Sequence, residues 1–254
     1  MITKNAILKA GVVMGGLALA LQVRAQDVAF QVPVNISQTD PAGLQNSGGI
    51  PPGTPFNLAL EFTVNNAISV SAVGVYDSTI GNNGTGFGAP VQVGIYSENN
   101  QNLPVAPVTL AAGVSGTIIG SAQFQTLGSA VTLNPGTYMV IVSGMGSTAA
   151  PDWNYYYFQN GVSPTPANPL IFDGDGGALT VGGSYYSITP TFSTPANDPN
   201  YTEDFFQDQY AAGTFVYTVV PEPSVSQLAL MGVGLFGLIK LGRKFRKTRS
   251  NAVS

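Results

Sequence analysis

The chain has 254 residues and a formal net charge of −4, but the charge is unevenly divided. All nine Lys and Arg lie outside residues 26–219, a segment that holds twelve of the thirteen acids and no His. A body without cations cannot neutralise a phosphate backbone, which excludes phosphate-led nucleic-acid binding. The absence of Cys and His from the chain also excludes Ser-His-Asp and Cys-His nucleophiles and any metal site built on those ligands. The body is therefore read as non-enzymatic.

Lys4 and Lys9 introduce an apolar run from Ala10 to Leu21, and Val23 and Ala25 stand at −3 and −1 of the Ala25–Gln26 bond. A basic start, a short apolar middle and small residues before a cut are the layout of a secretory signal peptide. Residues 1–25 are assigned to a signal helix cleaved between Ala25 and Gln26.

From Gln26 to Val219 the pattern is β. Residues 57–64, 68–76, 91–96, 116–124, 137–144, 153–159 and 213–220 are rich in Val, Ile, Thr and aromatics, as strands are. Gly81–Gly84, Asn134–Gly136 and Ala167–Pro169 mark turns between them. With no amphipathic 3.6-residue stripe, the expected fold is all-β: one antiparallel β-sandwich, jelly-roll-like, over residues 26–219. The stretch from Phe62 to Gly144, with "GVYD", "VQVGIY" and "LNPGTY", is similar to a domain of unknown function in exported bacterial proteins. That resemblance implies a sandwich and no particular reaction.

Three groups of body residues carry candidate chemistry. Asp173 and Asp175, two apart on the Gly-rich "FDGDGG" loop, suit a hard cation such as calcium; the same residues also suit a plain polar turn. Calcium is thus the one cofactor considered. Trp153, Tyr155 and Tyr157 alternate along one expected strand and either stack on sugar rings or pack in the core. Glu61, Glu98 and Glu203 are the only glutamates of the body; a two-carboxylate glycosidase could be built from them, although they form no recognisable pair in sequence. The acid-rich segment 197–210 is expected to be a solvated loop.

The last part, residues 220–254, begins with Pro221, Glu222 and Pro223 and continues into an uninterrupted apolar run from Leu228 to Ile239. From Ser224 to Leu241 a helix would be about 27 Å long, close to the bilayer's hydrocarbon thickness. Arg243, Lys244, Arg246, Lys247 and Arg249 follow and should stay cytoplasmic, leaving the body outside. Gly232, Gly234 and Gly237 spell G-x-G-x-x-G inside this run, with no strand ahead of them, so the dinucleotide reading fails. The order of Pro-Glu-Pro, transmembrane helix and basic tail resembles the PEP-CTERM sorting signal of Gram-negative bacteria. The resemblance implies an exosortase and the secretion machinery as partners, and a membrane-anchored intermediate. It further implies delivery to the cell surface or the extracellular matrix of a biofilm, where an exopolysaccharide is a candidate partner.

Twelve carboxylates without a cation repel one another, and salt screens that repulsion. The melting temperature of the isolated body should therefore rise with moderate salt or added calcium, as differential scanning fluorimetry can check.

Overall fold

In the computed structural model the described residues are 26–31, 55–77, 86–145, 171–172, 175–203 and 213–221. They form β1 (Asp27–Val28), β2 (Phe30–Gln31), β3 (Phe56–Val64), β4 (Ile68–Tyr76), β5 (Val91–Ser97), β6 (Asn102–Leu110), β7 (Thr117–Ile119), β8 (Ala122–Leu133), β9 (Gly136–Met145), β10 (Ile171–Phe172), β11 (Leu179–Ser187), β12 (Thr202–Glu203) and β13 (Gly213–Val219). Sheet I has five strands in the order β1-β13-β4-β8-β7, and sheet II has six in the order β12-β11-β3-β9-β5-β6. A two-stranded ribbon pairs β10 with β2. The pairings are antiparallel throughout.

The chain changes sheet between β3 and β4, β4 and β5, β6 and β7, β8 and β9, and β12 and β13. Strands β1-β13-β4-β8 thus lie in one sheet and β3-β9-β5-β6 in the other, which is jelly-roll wiring. Strands β11 and β12 widen sheet II beyond β3, and β7 widens sheet I beyond β8.

Alternation decides which side chains face the shared core. Leu58, Leu60, Phe62 and Val64 of β3 meet Val140 and Val142 of β9 and Phe215, Tyr217 and Val219 of β13 in one buried cluster. At its centre the Phe62 and Phe215 rings lie 4.9 Å apart, with Phe30 5.7 Å from Phe215 and Tyr138 stacked 5.8 Å from Phe62. Strand β4 keeps its inward set by shifting parity. Ile68 and Val70 face the core before an irregularity at Ser71, and Val73 and Val75 after it. Opposite Ser71, residues 127–130 of β8 are extra, a bulge that lets both halves of β4 bury their apolar side chains.

The structure departs from the expected strands in three places. The segment expected as one strand over 116–124 is a hairpin, because Gly120 adopts φ 60° and turns the chain so that Ile119 pairs with Ala122. Such a positive φ suits glycine. Strand β6 contains Pro104 and Pro107 and is the outer strand of sheet II, the position where proline is tolerated because one backbone edge has no ladder to feed. Strand β11 contains Gly182 and Gly183. The expected strand over 153–159 lies outside the described residues, as do the signal helix and the C-terminal helix.

Phe62 is fully buried and touches three other rings. Phe62→Ala should lower the unfolding free energy by about 3–5 kcal/mol, measurable by urea denaturation of the body.

Candidate functional site

Most of the residues singled out in the sequence fall outside the described part: Ala25, Trp153, Tyr155, Tyr157, Asp173, Glu222, Pro223 and the basic tail. Gln26 immediately precedes β1 and donates its Nε2 to Ser71 Oγ at 3.0 Å. Asp175 opens a 3-10 turn, Asp175–Gly177, in which Gly176 and Gly177 have φ 68° and 97°. Among the described residues no group of three His, Cys, Asp or Glu is placed to hold a metal ion. Among those same residues no helix is long and apolar enough to cross a membrane. Pro221 is exposed.

The three glutamates are a different matter, because the outer face of sheet II brings them together. Glu61 lies on β3 opposite Met139, which pairs in turn with Tyr96 of β5. Glu98 follows the end of β5, its N–H donating to Thr137 O at 3.1 Å. Glu203 on β12 pairs with Tyr185 of β11. Tyr185 Oη donates to Glu61 Oε2 at 3.1 Å.

A bulge makes room for this arrangement. The register of β11 against β3 runs from Val181 opposite Phe62 to Ser184 opposite Leu60, so Gly182 and Gly183 together face Glu61. A Cβ on Gly182 would stand 2.3 Å from Glu61 Oε1, and one on Gly183 would stand 3.5 Å from Glu203 Oε1. Gly182 therefore leaves the space that the Glu61 carboxylate occupies, while Gly183 lies beside Tyr185 and Glu203.

With no cation nearby, the carboxylates shift their neighbours' titration. Burial raises the Tyr185 phenol well above its ordinary value, and Glu61, Glu203 and Glu98 push it further. Burial, followed by Glu61, holds the Glu98 carboxyl above the usual carboxylate range. The outcome is a protonated phenol beside several acceptor oxygens, packed against the edge of the buried cluster that contains Tyr96 and Met139. Such a surface can accept hydrogen bonds from hydroxyl or amine groups. Each glutamate was visible in the sequence, but their convergence was not. The glycine pair inside an otherwise strand-like segment was the one available sign of a bulge.

Beside the glutamates, residues 188–201 form a strap across the same face. Phe192 and Tyr201 pack on Ala59, Tyr96, Met139 and Ile141. Asn57 Nδ2 donates to Thr189 O at 2.8 Å, Thr191 O at 3.0 Å and Ser193 Oγ at 3.1 Å. Asp198 is only 5 % exposed; it accepts from Ser187 Oγ, from Ser193 Oγ at 2.9 Å and from the Asn200 N–H at 2.9 Å. The expectation of a solvated acidic loop is therefore corrected at Asp198, which is a buried anchor. Asp204 and Asp208 lie outside the described residues. On the other sheet, buried Asp77 accepts from Gln123 Nε2 at 2.5 Å, and Gln123 Oε1 accepts from the Ser115 N–H at 2.5 Å.

Two antiparallel sheets around one core, with no cation in the body, define an all-β protein whose address is written at the end of its chain. The family model described as the PEP-CTERM protein-sorting motif matches residues 219–247. The chain thus carries a PEP-CTERM signal, which implies export, a membrane-anchored intermediate and processing by an exosortase. No curated protein matches the chain in sequence.

Burial alone would raise the Asp198 carboxyl, but hydrogen bonds from Ser187, Thr189, Asn200 and Ser193 outweigh it and lower its pKa from 3.8 to about 2. Its folded value lies below its unfolded one, so its stabilising contribution is complete above about pH 4 and is lost as pH falls towards 2. Glu98 acts in the opposite sense: its raised folded value means that the body gains stability as that group protonates. Thermal melting from neutral to acid pH should therefore pass through a maximum. Asp198→Asn should remove the loss on the acid side, and Asp198→Ala should cost about 2 kcal/mol or more at neutral pH.

Proposed function

We propose that this is a non-catalytic protein of the cell surface or extracellular matrix, delivered there after an exosortase releases it from the membrane. The sorting motif at residues 219–247 carries this reading. It is supported by a body without Lys, Arg, His or Cys, which lacks the side chains that most often serve as base, nucleophile or charge clamp. In a biofilm the work of such a body is structural or adhesive.

A second reading, a carbohydrate-binding module, is favoured by one observation. Glu61, Glu98, Glu203 and Tyr185 converge on one sheet face beside Tyr96. Sugar hydroxyls would find acceptors in the carboxylates, and the half-buried Tyr185 ring would supply apolar contact. On this reading the sugar would meet β3, β5, β11 and β12; Trp153, Tyr155 and Tyr157, the stacking residues expected from the sequence, lie outside the described residues. Hydrolysis by the same carboxylates is a more remote use of the site. Calcium at Asp173 and Asp175 stays a proposal of the sequence.

Fractionation of the producing bacterium, with intact mass measured on the recovered protein, tests the main reading. The expected result is a chain without its apolar tail in the surface or matrix fraction. A chain that keeps residues 228–254 and is found only in the membrane would refute it. Retention on surface polysaccharide that is lost in Glu61→Gln and Tyr185→Phe, with melting unchanged, would select the second reading.

A further inference from the structure

Among the described residues the outer strands of the two sheets are unequally protected. Strand β1 carries Asp27, β12 carries Glu203, and β6 contains Pro104 and Pro107. Charge and proline are the usual means of keeping a sheet edge from pairing with another chain. Strand β7 has neither: it reads Thr117, Ile118, Ile119, and all three residues are exposed. Ile118 is 45 % exposed and Ile119 39 %; with nearby Val114 they are three of the four large apolar side chains exposed among the described residues. Charge is also missing from the flanking sequence. From Asn99 to Pro151 there is no Asp, Glu, Lys, Arg or His, a span that covers β6, β7, β8 and β9. Asp77 donates its N–H to Ser121 O at 2.9 Å, in the turn after β7, but it is fully buried and accepts from Gln123.

We propose that β7 pairs antiparallel with β7 of a second copy across a two-fold axis, so that sheet I continues from one body into the next. Symmetry and charge both select a second copy as the occupant. Related by a two-fold axis, an antiparallel edge offers a donor wherever its mate offers an acceptor, so the edge is complementary to itself. Two bodies with twelve acids and no cation repel each other, and an uncharged margin is where they meet at least cost. A cationic partner would instead be drawn to strands that carry acids, such as β3 and β12. With the axis at Ile118, that side chain lies opposite its own counterpart and Thr117 lies opposite the partner's Ile119, which takes apolar surface out of water. Because the other outer strands carry an acid or a proline, the contact closes at a dimer and does not propagate.

The test places single cysteines in the full chain, which has no Cys of its own. Ile118→Cys, expressed in the producing bacterium and oxidised with diamide, should give a disulfide-linked dimer on a non-reducing gel. Ile188→Cys is the control, at a position that is 51 % exposed on the strap across sheet II. The expected dimer yield is about tenfold or more above that control, because a disulfide requires Cβ atoms within ~4.5 Å of each other. Adding a carboxylate to the edge, with Thr117→Asp or Thr117→Glu in the Ile118→Cys chain, should bring the yield down to the control level. Thermal melting of these variants should match the wild type, which separates a lost contact from a folding defect. No dimer, a yield equal to that of Ile188→Cys, or a dimer that survives both Thr117 changes would overturn the pairing. A cross-link to a different protein, identified by mass spectrometry, would overturn it in favour of another partner.

Discussion

Residues 26–219 must handle their carboxylates with no Lys, Arg or His of their own to pair them. From Gln26 to Val219 there is no Lys, Arg or His, so any acid leaving water has only neutral donors to meet it. An uncompensated buried charge is costly, and the two acids buried among the described residues, Asp77 and Asp198, are compensated by different means. Asp77 takes a carboxamide, from Gln123. Asp198 takes two hydroxyls and a backbone N–H. Each solution also fixes a loop, because Gln123 holds the backbone at Ser115 and Gly113 while Asp198 holds the strap across sheet II. Lacking cations, the domain uses its buried acids as loop anchors.

The strands that could be read from the sequence are those whose apolar alternation is uninterrupted or nearly so. Strand β4 was expected over 68–76 and occurs at Ile68–Tyr76. Strands β3, β9 and β13 differ from expectation by a residue or so at their ends. What escaped were elements whose local chemistry argues against a strand and which tertiary pairing nevertheless enforces. Pro104 and Pro107 hid β6, and Gly182 and Gly183 hid β11. Gly120 was invisible as a turn because the residues on both sides are β-formers. Convergence of Glu61, Glu98 and Glu203 was not legible either, since it depends on β11 and β12 lying beside β3, a neighbourhood set by sheet order and not by spacing along the chain.

Sheet II consequently presents two kinds of outer surface. Along β3, β9 and β5 the outward Ala59, Ile141 and Met139 are covered by Phe192 and Tyr201 of the strap, so that part behaves as a second, smaller core. Beyond the strap the glutamates and Tyr185 are only partly covered. Polar side chains are thus gathered at the margin of a covered apolar patch, with the half-buried Tyr185 ring beside the carboxylate oxygens.

The pairing of β1 with β13 has a consequence for the order of events during export. Asp27 lies opposite Tyr217 and Val28 opposite Val216, so the first strand of the body is zipped to the last, with almost the entire domain looped between them. Contacts of such long sequence separation form late, because closing the loop costs entropy before any contact is gained. Sheet I has no partner for β1 until Gly213–Val219 is present. A chain that emerges amino terminus first must therefore wait for its final strand, and the residues that complete the sheet are the same ones that lead into the sorting tail. Completion of the fold and arrival of the membrane signal are successive moments of one passage.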